Sequence, residues 1–90
     1  MELKIREVTS DSTITENDSI VICNSTGAIA LSLQSATGSR DVYYVKNSGA
    51  GTVTLTPTLP DLMDGGATYS LLQYEAAVIL DYKVHVWVVL

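Results

Sequence analysis

Val53 and Leu55 alternate with Thr52, Thr54 and Thr56, and a comparable period of two recurs along most of this 90-residue chain. Successive side chains of an extended backbone point to opposite faces, so the rhythm prescribes strands that bury one side. No segment keeps a helical apolar spacing for as long as about ten residues. Residue types agree with this reading. Ten Val, six Ile and ten Thr make 26 of the 90 residues β-branched, and Phe is absent. That selection favours pleated sheets over helices. The expected fold is all-β, an antiparallel β-sandwich of jelly-roll type with little or no helix, in a single domain spanning residues 1–90.

Leu3 and Ile5 alternate with Glu2, Lys4 and Arg6, which predicts a first strand with one wet face; residues 1–12 form either that strand or an N-terminal arm. Residues 9–13 read as a loop. Residues 20–23 (Ile-Val-Ile-Cys) are apolar at every position and ask for cover on both faces, before Asn24, Ser25, Thr26 and Gly27 supply a turn. Further strands are expected over residues 28–33, 41–46 and 52–56, the last ended by Pro57 and Pro60. Residues 61–66 form a tight turn. The final strands cover residues 76–82 and 84–90, with Asp81, Tyr82 and Lys83 marking a reversal or bulge. In the last of these, Val84, Val86, Val88 and Leu90 face one way while Trp87 and Val89 face the other, so both faces seek cover. The count is about seven to nine strands at a spacing of roughly 8 to 12 residues. No block recurs at a fixed period, so a solenoid is not expected.

Ten acidic and five basic side chains leave a net charge of -5, the wrong sign for neutralising phosphates, so neither nucleic acid nor an anionic membrane is an expected partner. An apolar fraction of 47 % against 17 % charged residues is that of a folded chain. The longest apolar runs reach about five residues, against the roughly 20 needed to span a bilayer. The opening residues mix charges where a signal peptide needs an apolar run. Cys23 is the single cysteine; it forms no internal disulfide and suits a reducing compartment.

Catalytic chemistry finds few candidates. His85 is the only imidazole, no partner for it is evident, and in its Val-rich run it reads as a surface strand residue or subunit contact. Cys23 sits in an apolar strand, where desolvation keeps a thiol neutral. Asp61 and Asp64 flank a Pro/Gly turn and read as turn formers rather than paired acids, and Asp41 stands apart. Gly49-Ala50-Gly51 lacks the third glycine and the helix of a nucleotide-binding loop. Asn17-Asp18-Ser19 and Asn24-Ser25-Thr26 match the glycosylation pattern, but 19 Ser and Thr residues make chance matches ordinary. No catalytic, cofactor or metal residue is assigned, and a non-enzymatic protein is expected.

The aromatic residues, five Tyr and one Trp, either supply volume to a core that has no Phe or stack on sugars. Ile20, Ile22, Val86, Trp87 and Val88 are the expected core or oligomer-interface residues. A chain this small with strands apolar on both faces gains stability by burial against further copies. The alternative is a carbohydrate-binding module that recognises host surface glycans through Tyr43 and Tyr44.

Thr13-Ile14-Thr15-Glu16-Asn17-Asp18-Ser19-Ile20-Val21-Ile22 is followed by Gly27-Ala28-Ile29-Ala30-Leu31-Ser32-Leu33, Val42-Tyr43-Tyr44-Val45-Lys46-Asn47 and Thr52-Val53-Thr54-Leu55-Thr56-Pro57. Then come Asp64-Gly65, Thr68-Tyr69-Ser70-Leu71, Gln73-Tyr74-Glu75, Val78-Ile79-Leu80 and a closing aromatic, Trp87. In this order the pieces resemble a β-module of bacteriophage fibre, spike and virion-surface proteins, over roughly residues 8–90. The resemblance implies a non-catalytic structural protein, commonly trimeric, carried on the virion surface after assembly in the host cytoplasm. Its implied partners are further copies of itself and other virion proteins, in a head decoration or a tail or fibre component. Two departures stand out: Gly66 lengthens the turn, and residues 81–85 replace a usual Gly/Asn-rich loop. With Met1 at one end and a strand at the other, the chain is expected to be a complete small product rather than a fibre segment.

Overall fold

Short alternating runs broken by Asn, Ser, Gly and Pro can form only short strands, and the chain turns at nearly every break. The computed structural model describes residues 3–90 and contains ten strands and no helix among them. They are β1 (Ile5–Val8), β2 (Ser12–Ile14), β3 (Ile20–Cys23), β4 (Ile29–Leu33), β5 (Val42–Asn47), β6 (Val53–Thr56), β7 (Leu62–Met63), β8 (Tyr69–Leu71), β9 (Ala76–Lys83) and β10 (Val86–Val89). The fold is all-β. One sheet has six strands in the order β1-β3-β5-β9-β10-β7, and the other has four in the order β2-β4-β6-β8.

Antiparallel sheets were the expectation, and the structure corrects it: the sheets are mixed, with β1, β3 and β5 parallel in one and β2, β4 and β6 parallel in the other. The cause is the path of the chain. It crosses from one sheet to the other and back, so each returning strand runs in the direction of its predecessor. Partners step from Ile5 to Ile20 to Tyr44 in the first sheet and from Ser12 to Leu31 to Leu55 in the second. These steps are unequal, which is why the winding leaves no fixed period in the sequence. After β6 the direction reverses, and β9 and β8 close antiparallel on β5 and β6.

The inward residues of both sheets meet in one hydrophobic cluster. Val21, Val45 and Ile79 of the first sheet and Leu31, Leu33 and Leu55 of the second are essentially inaccessible. Each such side chain contributes about 1.5 to 3 kcal/mol on burial. The hydroxyl row anticipated at Thr54 and Thr56 does face outward, where it continues through Ser32 and Thr13 on β4 and β2.

The first strand inverts its expected faces. Register against Val21 and Cys23 turns Arg6 and Val8 inward, leaving Leu3 and Ile5 exposed. Arg6 sits at the sheet edge and is satisfied there by the Thr13 carbonyl at 2.9 Å and the Asp18 carboxylate at 3.0 Å. Residues 1 and 2, part of the anticipated arm or strand, lie outside the described residues. The expected loop over residues 9–13 holds the start of β2, because Ser12 and Thr13 pair with Leu31 and Ser32.

Two turns of the winding touch at one corner, where the link after β5 lies against the link after β3. Ser48 N–H donates to the Cys23 carbonyl at 2.8 Å and Gly51 N–H to the Ser25 carbonyl at 2.9 Å. A Cβ at Gly49 would run into the Ser25 backbone, and one at Gly51 into the Gly27 carbonyl. Asn47 is buried beneath this corner, its amide donating to the Gly51 and Leu71 carbonyls while its oxygen accepts from Gly49 N–H.

Candidate functional site

Strands in register turn alternate residues into rows, and the outward rows of the six-stranded sheet are apolar. Ile5, Ile20, Tyr44, Val78 and Leu90 line up across five neighbouring strands. A parallel row joins Val42, Leu80 and Val88. At strand spacings of about 4.8 Å and repeats of about 6.8 Å along each strand, these rows cover about 260 Å². Soluble monomers rarely expose contiguous apolar patches larger than a few hundred Å², and their largest patch is often a functional one. Polar residues bound the patch: Glu7 and Lys46 lie in the next row, and Tyr82 is flanked by Arg40 and Lys83 at 5.0 and 5.1 Å from its ring centre. A groove of about 330 Å³ follows Ile20, Tyr44, Lys46, Val78 and Leu90.

The residues singled out in sequence divide between this face and the core. Ile20, Ile22 and Val88 are half-buried on the outward face, and Val86 lies on the same side of β10. Trp87 turns inward and is buried, its ring 6.1 Å from that of Tyr43 at a tilt of 50°. Tyr43 is therefore a core residue, whereas Tyr44 is 50 % exposed on the opposite side of the same strand. The two tyrosines named as glycan contacts share no surface. Ile5 and Val78 were not singled out, and Leu90 was named only with the face of the last strand that seeks cover, although the unbroken apolar run Val78-Ile79-Leu80 carried the signal that both faces of β9 need cover.

His85 does have a partner, contrary to the reading of the sequence. Its Nδ1 lies 2.7 Å from Asp61 Oδ1, and the other oxygen of that fully buried carboxylate accepts Ala36 N–H at 2.6 Å. Asp61 is thus a buried anchor for the link after β4, not a local turn former. Its carboxylate makes Nδ1 the proton-bearing nitrogen of His85. No other hydrogen bond to the ring occurs among the described residues.

Asp81 is the second buried carboxylate that sequence reading passed over. It accepts from Thr37 N–H, Gly38 N–H at 2.7 Å and the Ser39 hydroxyl at 3.1 Å, tying the link between β4 and β5 to the middle of β9. Residues 81–85 are consequently strand and turn rather than a long loop, with the bulge at Val86 and Trp87. Replacing Asp81 with Ala strands two backbone donors, and the expected loss is about 2 to 4 kcal/mol. Chemical denaturation checks this, and Asp81→Asn, which keeps one acceptor oxygen, should lose clearly less.

Cys23 is buried in the core, and burial pushes its thiol up while the positive charge of Arg6 pulls the other way. It stays a neutral thiol. Among the described residues no group of three or more potential metal ligands converges. Comparison of the chain with protein-family models, curated proteins and solved structures found no match.

Proposed function

We propose that this chain is a non-enzymatic structural protein of a bacteriophage virion, working as a homo-oligomer that buries the outward face of its six-stranded sheet. The observation that carries the reading is the unbroken apolar row Ile5, Ile20, Tyr44, Val78 and Leu90. A second copy is the favoured occupant because the face is apolar in the middle and rimmed by charge, the anatomy of a subunit interface. The net charge of -5 opposes an anionic bilayer on the same face. A 90-residue domain also gains stability from such burial. Trimeric assembly and attachment to a head or tail come from the resemblance to fibre and virion-surface modules. In this reading the two layers form a sandwich wound as a coil, and the hydroxyl-rich second sheet stays wet.

Light scattering coupled to size exclusion tests the proposal. The expected mass is about three times the 9.7 kDa chain. Val78→Glu, on the outward side of β9, should give a folded monomer, since an unpaired carboxylate sealed in a dry interface costs about 3 to 5 kcal/mol. A wild-type protein that stays a folded monomer at micromolar concentration would sink the proposal, and so would a Val78→Glu protein of unchanged mass.

A further inference from the structure

Covering an apolar face also covers whatever charge stands among its rows. Of the outward residues of β1, β3, β5 and β9, only Glu7 and Lys46 are charged. Both belong to the row that passes through Ile22, one strand to either side of it, so their backbones lie about 9.6 Å apart at the usual strand spacing. Neither forms an ion pair among the described residues. Glu7 is exposed. Lys46 is half-buried and lines the groove with Ile20, Tyr44 and Val78. Its Nζ donates to the Tyr74 carbonyl, just ahead of β9, at 2.6 Å. An ammonium has three donors, so the bond to Tyr74 leaves Lys46 able to take a carboxylate as well.

A lysine sealed into an interface needs such a carboxylate, because an unpaired charge taken out of water is costly. The same face offers one in Glu7, and at a matching spacing. Ile5 and Glu7 are two residues apart on β1, and Tyr44 and Lys46 are two apart on β5, so each strand sets an apolar side chain about 6.8 Å from a charged one. Ile5 is 63 % exposed and Tyr44 50 %. Where Ile5 of one copy meets Tyr44 of another with the strands aligned, Glu7 falls opposite Lys46. Sheets stacked face to face lie about 10 Å apart, a gap that a glutamate and a lysine reaching toward each other can span. Copies that each carry a net charge of -5 repel overall, so local complementarity decides which patches meet.

We infer that the covering copy presents its β1 edge to the groove beside β5, with Ile5 against Tyr44 and Glu7 paired with Lys46. The contact rests on the oligomeric reading of this face and adds to it the register between copies. Because the two patches differ, it can repeat head to tail around a ring, as a trimer requires.

Charge reversal tests the pair. Glu7→Lys and Lys46→Glu, each alone, set like charges against each other, and sedimentation equilibrium should show association weakened about tenfold or more. Glu7→Lys combined with Lys46→Glu restores opposite charges with the ends exchanged and should recover most of that loss. Circular dichroism checks the fold of each variant, and Glu7→Lys, at an exposed position, carries the test if Lys46→Glu fails to fold. Carbodiimide treatment of mixed ¹⁵N-labelled and unlabelled protein condenses a carboxylate and an amine in contact into an amide with loss of water. It should join a Glu7 peptide of one isotope to a Lys46 peptide of the other. A monomeric parent overturns the oligomeric reading and this pairing together. A parent that associates while Glu7→Lys keeps its affinity, a folded double variant no tighter than the single ones, or the absence of mixed-isotope links overturns the pairing and leaves the oligomer standing.

Discussion

Gly51→Ala is expected to lower stability by about 3 kcal/mol or more, the upper part of the range for overpacking, because the added methyl meets backbone rather than a side chain that can swing away. The Gly27 carbonyl occupies the space where the Cβ would stand. Relief requires separating the link after β5 from the link after β3, which breaks the Gly51 to Ser25 hydrogen bond and disturbs the Asn47 amide that also reaches Gly51. For a domain of this size the melting temperature should fall by about 12 °C or more. Gly27→Ala is the control, since only the Ser25 hydroxyl lies near its Cβ position, at 3.9 Å. If both variants melt together, the two corners do not stack and the parallel winding is wrong.

Trp87→Ala should cost about 3 to 5 kcal/mol, the range for deleting a large aromatic from a core. Trp87 is the bulkiest inward residue of β10, and its removal leaves Tyr43 without its aromatic neighbour at one end of the cluster. Trp87→Phe retains most of that packing and should lose much less. Parent and variants need equal protein concentrations, because the proposed subunit association would make melting concentration-dependent. An unchanged melting temperature for Trp87→Ala would place the indole outside the core. The contrast with Val78→Glu is informative: the first substitution should act on folding and the second on association, although the two strands are neighbours.

Much of the local structure was legible. Alternation located β4, β5, β6 and β10 within a residue or two, and it assigned faces correctly where one side was polar, as at Thr54 and Thr56. In β10 it separated Trp87 and Val89 from Val86, Val88 and Leu90. It failed at β1, where two apolar residues were taken for the core side. Register with β3 sends Arg6 and Val8 inward instead. An edge strand of four residues offers too few positions for hydrophobicity to outweigh the pairing imposed by its neighbour.

The buried polar residues were not legible in their roles. Asp81 and Thr37 are 44 positions apart, and Asp61 and His85 are 24 apart. An aspartate beside proline and glycine looks locally like a turn former, and only the approach of a distant link with unpaired N–H groups makes it an anchor. Tyr43 and Tyr44 illustrate the same limit. A period of two states that they face opposite ways, but not which one the second sheet will cover.

By itself, the sequence determined that this chain is all-β and where most of its strands fall, because backbone extension, β-branching and turn chemistry act over a few residues. The tertiary structure alone decided that the strands pair largely in parallel across uneven intervals, that Asp61 and Asp81 hold the links between layers, and that five apolar side chains align on an outward face. Those outcomes depend on which strands become neighbours, a choice made by the summed burial of the whole core rather than by any one segment.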